Sequence, residues 1–206
     1  GLLAEPALTH DSNYPELMFR QIGSLNLSEM TTVCGCGGGT GIAIHLQSIL
    51  ASPAPVVIDA DALNSIASDS ALQSALKLRS ACAWVTVLTP HPLEAARLLG
   101  WGSDHVQQDR LLAASQMASM FGCTVILKGS GTVVAQPGQI PVINATGNAR
   151  LATAGTGDVL AGMVGAHIAN GQPVFQAACA AVYTHGAIAD SWRNRYSLTA
   201  SQLARS

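Results

Sequence analysis

The sequence predicts an α/β fold, one layered domain over a mainly parallel central sheet. Three observations predict it. Short β-rich runs alternate with longer helical runs along the chain. The strand candidates are short and apolar, as strands covered on both faces are. Ala, Leu, Val and Gly dominate a 206-residue chain that is 49% apolar and only 4% aromatic, which suits helices packed closely on such a sheet.

The elements follow in order. Residues 31–34 read as a strand and 41–50 as a helix. Val56–Ile58 is a strand, and 63–78 is helical with a break near Ser68 and Asp69. A strand over 84–88 leads into a helix over Pro92–Leu99, which Pro92 opens. The spacing predicts one helix over 105–121 and a strand over Thr124–Leu127. Strands 132–136 and 140–143 flank Pro137-Gly138 and make a hairpin. Two helices close the chain, 157–169 and 173–191. Gly171 is a natural C-cap and Pro173 a natural first-turn residue.

Composition removes several function classes. At 11% charged the chain is far from disorder. A net charge of −2 with no basic stripe argues against nucleic acid as a partner. No run reaches the ~18 apolar residues of a membrane span. The five cysteines are odd in number and lack the spacing of a disulfide framework, so a reducing cytoplasm is expected. Cys34-Gly35-Cys36 could be half a metal site, but no other Cys or His pair stands at ligand spacing. Its expected role is to fill a Gly-rich turn with small side chains. The opening Gly1-Leu2-Leu3 has no signal-peptide pattern and reads as the tail of a segment already under way.

In parallel α/β sheets ligands bind beyond the carboxyl ends of the strands. Four loops there could carry chemistry. Gly35-Cys36-Gly37-Gly38-Gly39-Thr40-Gly41 allows close backbone approach and ends at a helix start suited to an anion. It could equally be a tight turn, and it lacks the Lys-Ser/Thr of a Walker loop. In Asp59-Ala60-Asp61-Ala62-Leu63-Asn64, one acid can cap a helix while the other orients a substrate or a hydrated Mg²⁺. In Thr89-Pro90-His91-Pro92-Leu93-Glu94, two prolines fix His91 on the ligand side of the sheet, although the ring could simply occupy the cap position. Gly155-Thr156-Gly157 places free N–H groups at a helix mouth, with Asp158 in the first turn. A dipole partner needs no glycines around it. The glycines imply a polyanion close to the backbone, and Asp158 in a dry site is placed to take a proton from what it carries. Lys128-Gly129-Ser130-Gly131-Thr132 adds a cation suited to a nucleotide phosphate or an adenosine-side contact.

These segments together resemble the ribokinase-like superfamily, and within it the ADP- or ATP-dependent NAD(P)H-hydrate dehydratases. That family shows a Gly-Pro-Gly-Leu-Gly loop, Asp-Ala-Asp-Ala-Leu, Thr-Pro-His-Pro-x-Glu, Lys-Gly-x-x-Thr, and Thr-Gly-Asn followed by Gly-Thr-Gly-Asp-Val-Leu. This chain has all five in the same order across residues 33–160. It departs at Cys36 and Gly38, where Pro and Leu are usual. It departs also at Ala149-Arg150-Leu151, where Pro-Gly-Met is usual, and at Ala154, often Gly. The resemblance further implies about one more β-α-β unit upstream, whose end Gly1-Leu2-Leu3 would be. The fold implied is a ribokinase-like three-layer α/β/α domain over 1–206, lacking its first β-α-β unit.

The resemblance implies a hydro-lyase that uses ADP or ATP, with Mg²⁺, to dehydrate hydrated NADH or NADPH in metabolite repair. It assigns Gly39, His91 and Asp158 to the substrate, with Asp158 as catalytic base. It assigns Lys128, Gly129, Ser130, Gly131, Thr132 and Gly157 to the adenine nucleotide. Asp59, Asp61, Asn64, Asn148, Gly155 and Thr156 are secondary candidates, and no residue is a direct metal ligand. A cytoplasmic homo-oligomer is expected, with a tetramer as one form and an epimerase as a separate domain or partner. Two alternatives stay open. One is a ribokinase-like kinase of a vitamin precursor, against which His91 speaks because related pyrimidine kinases tend to carry Asn there. The other is a nucleotide-binding protein without turnover.

Overall fold

Six short apolar runs become one sheet. The computed structural model describes residues 10–206, so the expectation resting on Gly1, Leu2 and Leu3 lies outside it. The strands are β1 (Thr32–Cys34), β2 (Val56–Ile58), β3 (Thr86–Leu88), β4 (Thr124–Leu127), β5 (Val133–Ala135) and β6 (Val142–Ile143), in that spatial order. β1 to β4 run parallel, while β5 and β6 return as the antiparallel hairpin. The sheet is therefore mainly parallel, as expected.

The side-chain period of two splits each strand between two cores. Val56 and Ile58, Leu88, Val125 and Leu127 join one core with Leu46, Leu63, Leu76 and Met117. Val57, Val87, Ile126 and Val134 join the other with Leu160, Val164, Ala178 and Val182. Helices α1 (Ala43–Leu50), α2 (Ala60–Ser68), α3 (Ser70–Ala81), α4 (Pro92–Leu99), α5 (Ser103–Gln108) and α6 (Arg110–Phe121) cover the first face. Helices α7 (Thr156–Ala169) and α8 (Val174–Ser191) cover the second. That is the three-layer α/β/α plan. No helix among the described residues is long and apolar enough to cross a membrane.

Local chemistry explains the boundaries. The break between α2 and α3 falls where expected, because the Asp69 side chain accepts from the N–H groups of Ala71 and Leu72. The single helix expected over 105–121 is in fact two. Asp109 leaves helical geometry and caps α6 by accepting from Leu112 N–H. Pro173 sits at the N-cap of α8, one place before the first turn. A short helix α9 (Ala200–Leu203) was not expected, although Thr199 and Gln202 form a capping box.

Arg79 ties the amino ends of the strands together. Its side chain is fully buried, with no carboxylate paired to it among the described residues. Nε donates to Thr86 Oγ1, and the other two nitrogens donate to the carbonyls of Leu50, Ser52, Ala54 and Val85. Those groups end α1 and precede β2 and β3, so the opposite, carboxyl end of the sheet is left for the site.

Candidate active site

Glycine at 35 joins the first two loops. Its φ is +106°, and a Cβ there would lie 1.9 Å from the Asp59 carbonyl oxygen. This close approach brings Cys36 Sγ to 3.8 Å from Asp59 Oδ2. Asp61 accepts from Gly39 N–H at 2.7 Å. Asp59 stands at the N-cap of α2 but its side chain does not cap it.

Asp59 instead turns to Lys128. The Lys128 Nζ lies 2.6 Å from Asp59 Oδ1, and the Asp59 side chain is 1% exposed. The expectation for Lys128 was a nucleotide phosphate or an adenosine-side contact, and its ammonium is here paired with Asp59 across the sheet. It still borders the next loop, because a Cβ at Gly157 would meet Nζ at 3.4 Å. The Lys128 N–H donates to Pro90 O at 2.8 Å, which joins this loop to the His91 loop. Arg110, which sequence reasoning missed, holds the loop from α6. Its guanidinium donates to the carbonyls of Leu127, Lys128 and Gly131 at 3.1, 3.2 and 3.4 Å. Burial lowers its pKa.

The mouth of α7 is built on Gly155, with φ +84°. Thr156 Oγ1 donates to the carbonyls of Leu151 and Thr153, and its N–H donates to Thr153 O. So not every N–H there is free, which departs from the expectation. Among the described residues, the N–H groups of Gly155, Gly157 and Asp158 have no partner. Asp158 is exposed rather than in a dry site, which corrects the expected environment. One atom each of Asp158, Asp59 and Cys36 lie within 4.8 Å of one another. The Cys36 thiol is pushed up to about 12, first by burial and then by the charges of Asp59 and Asp158. A protonated thiol is a poor nucleophile and ligand.

Beside this group opens a cleft of about 490 Å³. It gathers Lys128, Gly129, Ser130, Gly131, Thr132, Asn148, Thr156 and Gly157, all predicted from sequence. Gly39, Asp59, Asp61, Asn64, His91, Gly155 and Asp158 lie outside its lining, Asp158 next to Gly157 on its rim. Asn64 accepts from Arg97 at 2.6 Å. Asn148 donates to Ala189 O and Asp190 Oδ1 and accepts from Arg150 N–H. Thr132 donates to Gly129 O. His91 does occupy a cap position. Its Nδ1 accepts from the N–H groups of Leu93 and Glu94 at 3.1 and 3.2 Å, and Glu94 accepts from His91 N–H. A neutral ring that accepts at Nδ1 carries its proton on Nε2, 3.3 Å from Glu94 Oε1. Also missed was His185, which lines the cleft and meets Thr156 O. The available signal was one polar residue on the Ala-rich buried face of a helix.

A family model described as NAD(P)H-hydrate dehydratase matches residues 9–206. An ADP-dependent (S)-NAD(P)H-hydrate dehydratase from Neisseria meningitidis serogroup B is 44% identical over 199 residues, covering 94% of this chain and 66% of that protein. The chain thus spans just under two thirds of that relative's length. The ADP/ATP-dependent NAD(P)H-hydrate dehydratase from Bacillus subtilis, co-crystallized with ATP and Mg²⁺, matches with TM-score 0.76 at 28% identity, over 93% of this chain and 70% of that one. A ribokinase-like superfamily protein from Enterococcus faecalis V583 matches with TM-score 0.71 at 25% identity, over 93% of this chain and 68% of that one. With the family match running from residue 9 to the last residue on a sheet of ribokinase-like plan, the chain belongs to the NAD(P)H-hydrate dehydratase family.

Proposed function

We propose that this protein uses an adenine nucleotide to dehydrate the hydrated form of NADH or NADPH, restoring the intact cofactor. The observation that carries the reading is the convergence at the mouth of α7. There the exposed Asp158 carboxylate, grouped with Cys36 and Asp59, stands next to Gly157, which lines the cleft, and the N–H groups of both residues are unpaired among the described residues. Hydroxide is a poor leaving group. Transfer of the nucleotide's terminal phosphoryl group to the C6 hydroxyl makes it a good one, and Asp158 takes the hydroxyl proton as the O–P bond forms. Loss of phosphate from C6 and of a proton from the neighbouring carbon then restores the dihydropyridine. The α7 mouth holds the transferring group by its N–H donors and positive dipole end. His91 would turn its Nε2–H from Glu94 to the substrate. ADP is the preferred nucleotide in this reading, following the name of the 44% identical relative.

Mg²⁺ arriving with the nucleotide would offset phosphate charge. The chain's nearby donors are one protonated thiol and two carboxylates, and Asp59 already pairs with Lys128. That set does not make an all-protein magnesium cage. It fits an ion held by phosphate oxygens and water, with Asp158 the exposed carboxylate at hand.

The test is Asp158→Asn, which keeps size and removes the base. Recovery of dihydropyridine absorbance from the hydrate should slow by about 10²- to 10⁴-fold, with ADP affinity retained. An Asn variant working at near the original rate would reduce Asp158 to a helix-terminus charge. Accumulation of a stable phosphorylated alcohol would favour a kinase instead.

A further inference from the structure

One buried side chain beside the cleft has no part in that chemistry. His185 sits on α8 and is 8% exposed. Its Nε2 lies 2.8 Å from the Thr156 carbonyl oxygen. A carbonyl only accepts, so Nε2 carries the proton and the neutral ring presents Nδ1 as a bare lone pair. Burial lowers the pKa of His185, the bond to Thr156 opposes that, and the Lys128 charge adds to it. The ring is therefore neutral near pH 7. Among the described residues Nδ1 has no partner, yet none of their side-chain nitrogens or oxygens is both buried and unpartnered. Nδ1 thus keeps an opening, and the surface that His185 lines is the cleft.

A lone pair repels phosphate oxygens. It takes an N–H or O–H donor. In an adenine nucleotide whose phosphates sit at Gly157, such donors lie only on the sugar hydroxyls and the exocyclic amino group. We propose that His185 Nδ1 accepts a hydrogen bond from a donor on the nucleoside part of the bound nucleotide, making His185 a specificity-determining residue. The proposal rests on the nucleotide occupying this cleft, as in the reading above. It makes His185 a two-sided reader. One nitrogen supports the peptide at the phosphate end, and the other inspects the sugar or base.

His185→Gln separates these two sides. A glutamine amide can replace Nε2–H toward Thr156 O but puts no acceptor at the Nδ1 position. Calorimetry would measure ADP, 2′-deoxy-ADP, 3′-deoxy-ADP, a purine nucleoside diphosphate lacking the amino group, and pyrophosphate. The variant should bind ADP about tenfold more weakly and pyrophosphate unchanged. One donor-deleted nucleotide should lose the same factor with the original protein and nothing further with the variant. ADP binding by the variant at the original affinity would mean that His185 only supports Thr156, and would overturn the proposal. So would a penalty that persists in full for every donor-deleted nucleotide. Should the variant fail to fold, the three analogues on the original protein decide, and the absence of any loss among them sinks it. Ala149→Trp, on the exposed rim of the cleft, tests the underlying reading. If it abolishes ADP binding while the His185 experiments show nothing, only this inference fails. If ADP binding is untouched, the nucleotide lies elsewhere and both fail.

Discussion

In its capping role His91 spends Nδ1, so only Nε2, which faces Glu94, can turn to a ligand. Glu94 closes the box from the other side, so ring tautomer and orientation are set by α4 before any substrate arrives. Replacing His91 by Ala therefore removes two things at once. His91→Asn separates them, because Asn is a good N-cap but lacks the distal N–H. We expect His91→Asn to melt near the original midpoint, while His91→Ala loses about 1 kcal/mol. Both should raise KM for the hydrated dinucleotide and leave ADP affinity alone. Original substrate affinity in the Asn variant would make His91 a cap and nothing more. The sequence shows that a rigid His lies at this strand end, since Pro90 and Pro92 flank it. Which ring nitrogen is free depends on φ and ψ at the cap, which no residue pattern prints. Asp158 teaches the same lesson. Its place in the first turn of α7 is legible from the glycines around it, but its exposure depends on loops far away in the chain.

Elements read well from sequence where one local rule decides them. Val56–Ile58, Pro92–Leu99 and Thr124–Leu127 fall where apolar runs, an N-terminal proline and a following turn put them. The 105–121 stretch misleads because Asp109 tolerates either a helix interior or a cap, and the cap wins. Partnerships between elements are less legible. The residues of the Asp59–Lys128 pair stand 69 apart in sequence, so each acid and each base in a loop looks equally free. Arg110 is a sharper case, being the first residue of α6 and outwardly an ordinary surface arginine. Its Nη2 alone donates to three carbonyls of the Lys128 loop, and a Cβ at Gly129 would lie 2.3 Å from its Nη1. The loop is thus shaped by α6 before a nucleotide meets it. Arg110→Lys keeps the charge, but its shorter side chain does not carry a nitrogen to the Nη2 position. ADP should bind about 2- to 10-fold more weakly, with kcat at saturating ADP close to the original value. An unchanged ADP affinity would show that the loop holds its shape without Arg110.

The whole molecule divides its labour between the two ends of one sheet. At the carboxyl ends of the strands, glycines, paired charges and open N–H groups form the partly exposed candidate site. At the amino ends Arg79 gives rigidity, with five donors meeting four carbonyls and one hydroxyl in the interior. Nothing in the sequence marks it, because an arginine on a helix is ordinarily solvated and four of its five acceptors here are backbone. Burial lowers its pKa, yet the Leu50 carbonyl belongs to the end of α1, where the helix dipole favours a cation. Arg79→Met would fill much of the space and leave those acceptors without donors. An unsatisfied buried acceptor costs about 1–3 kcal/mol, and water entering the gap would relieve some of them. We expect a net loss of about 3 kcal/mol, which for a domain this size lowers the melting midpoint by roughly 6–12 °C. Arg79→Lys should recover only part, since three donors cannot serve five acceptors. Because the damage lies at the far end of the sheet, folded Arg79→Met should keep its ADP affinity at low temperature. A variant that melts normally would show these carbonyls to be satisfied by other means, whereas one that melts normally but loses ADP would tie the two ends of the sheet together.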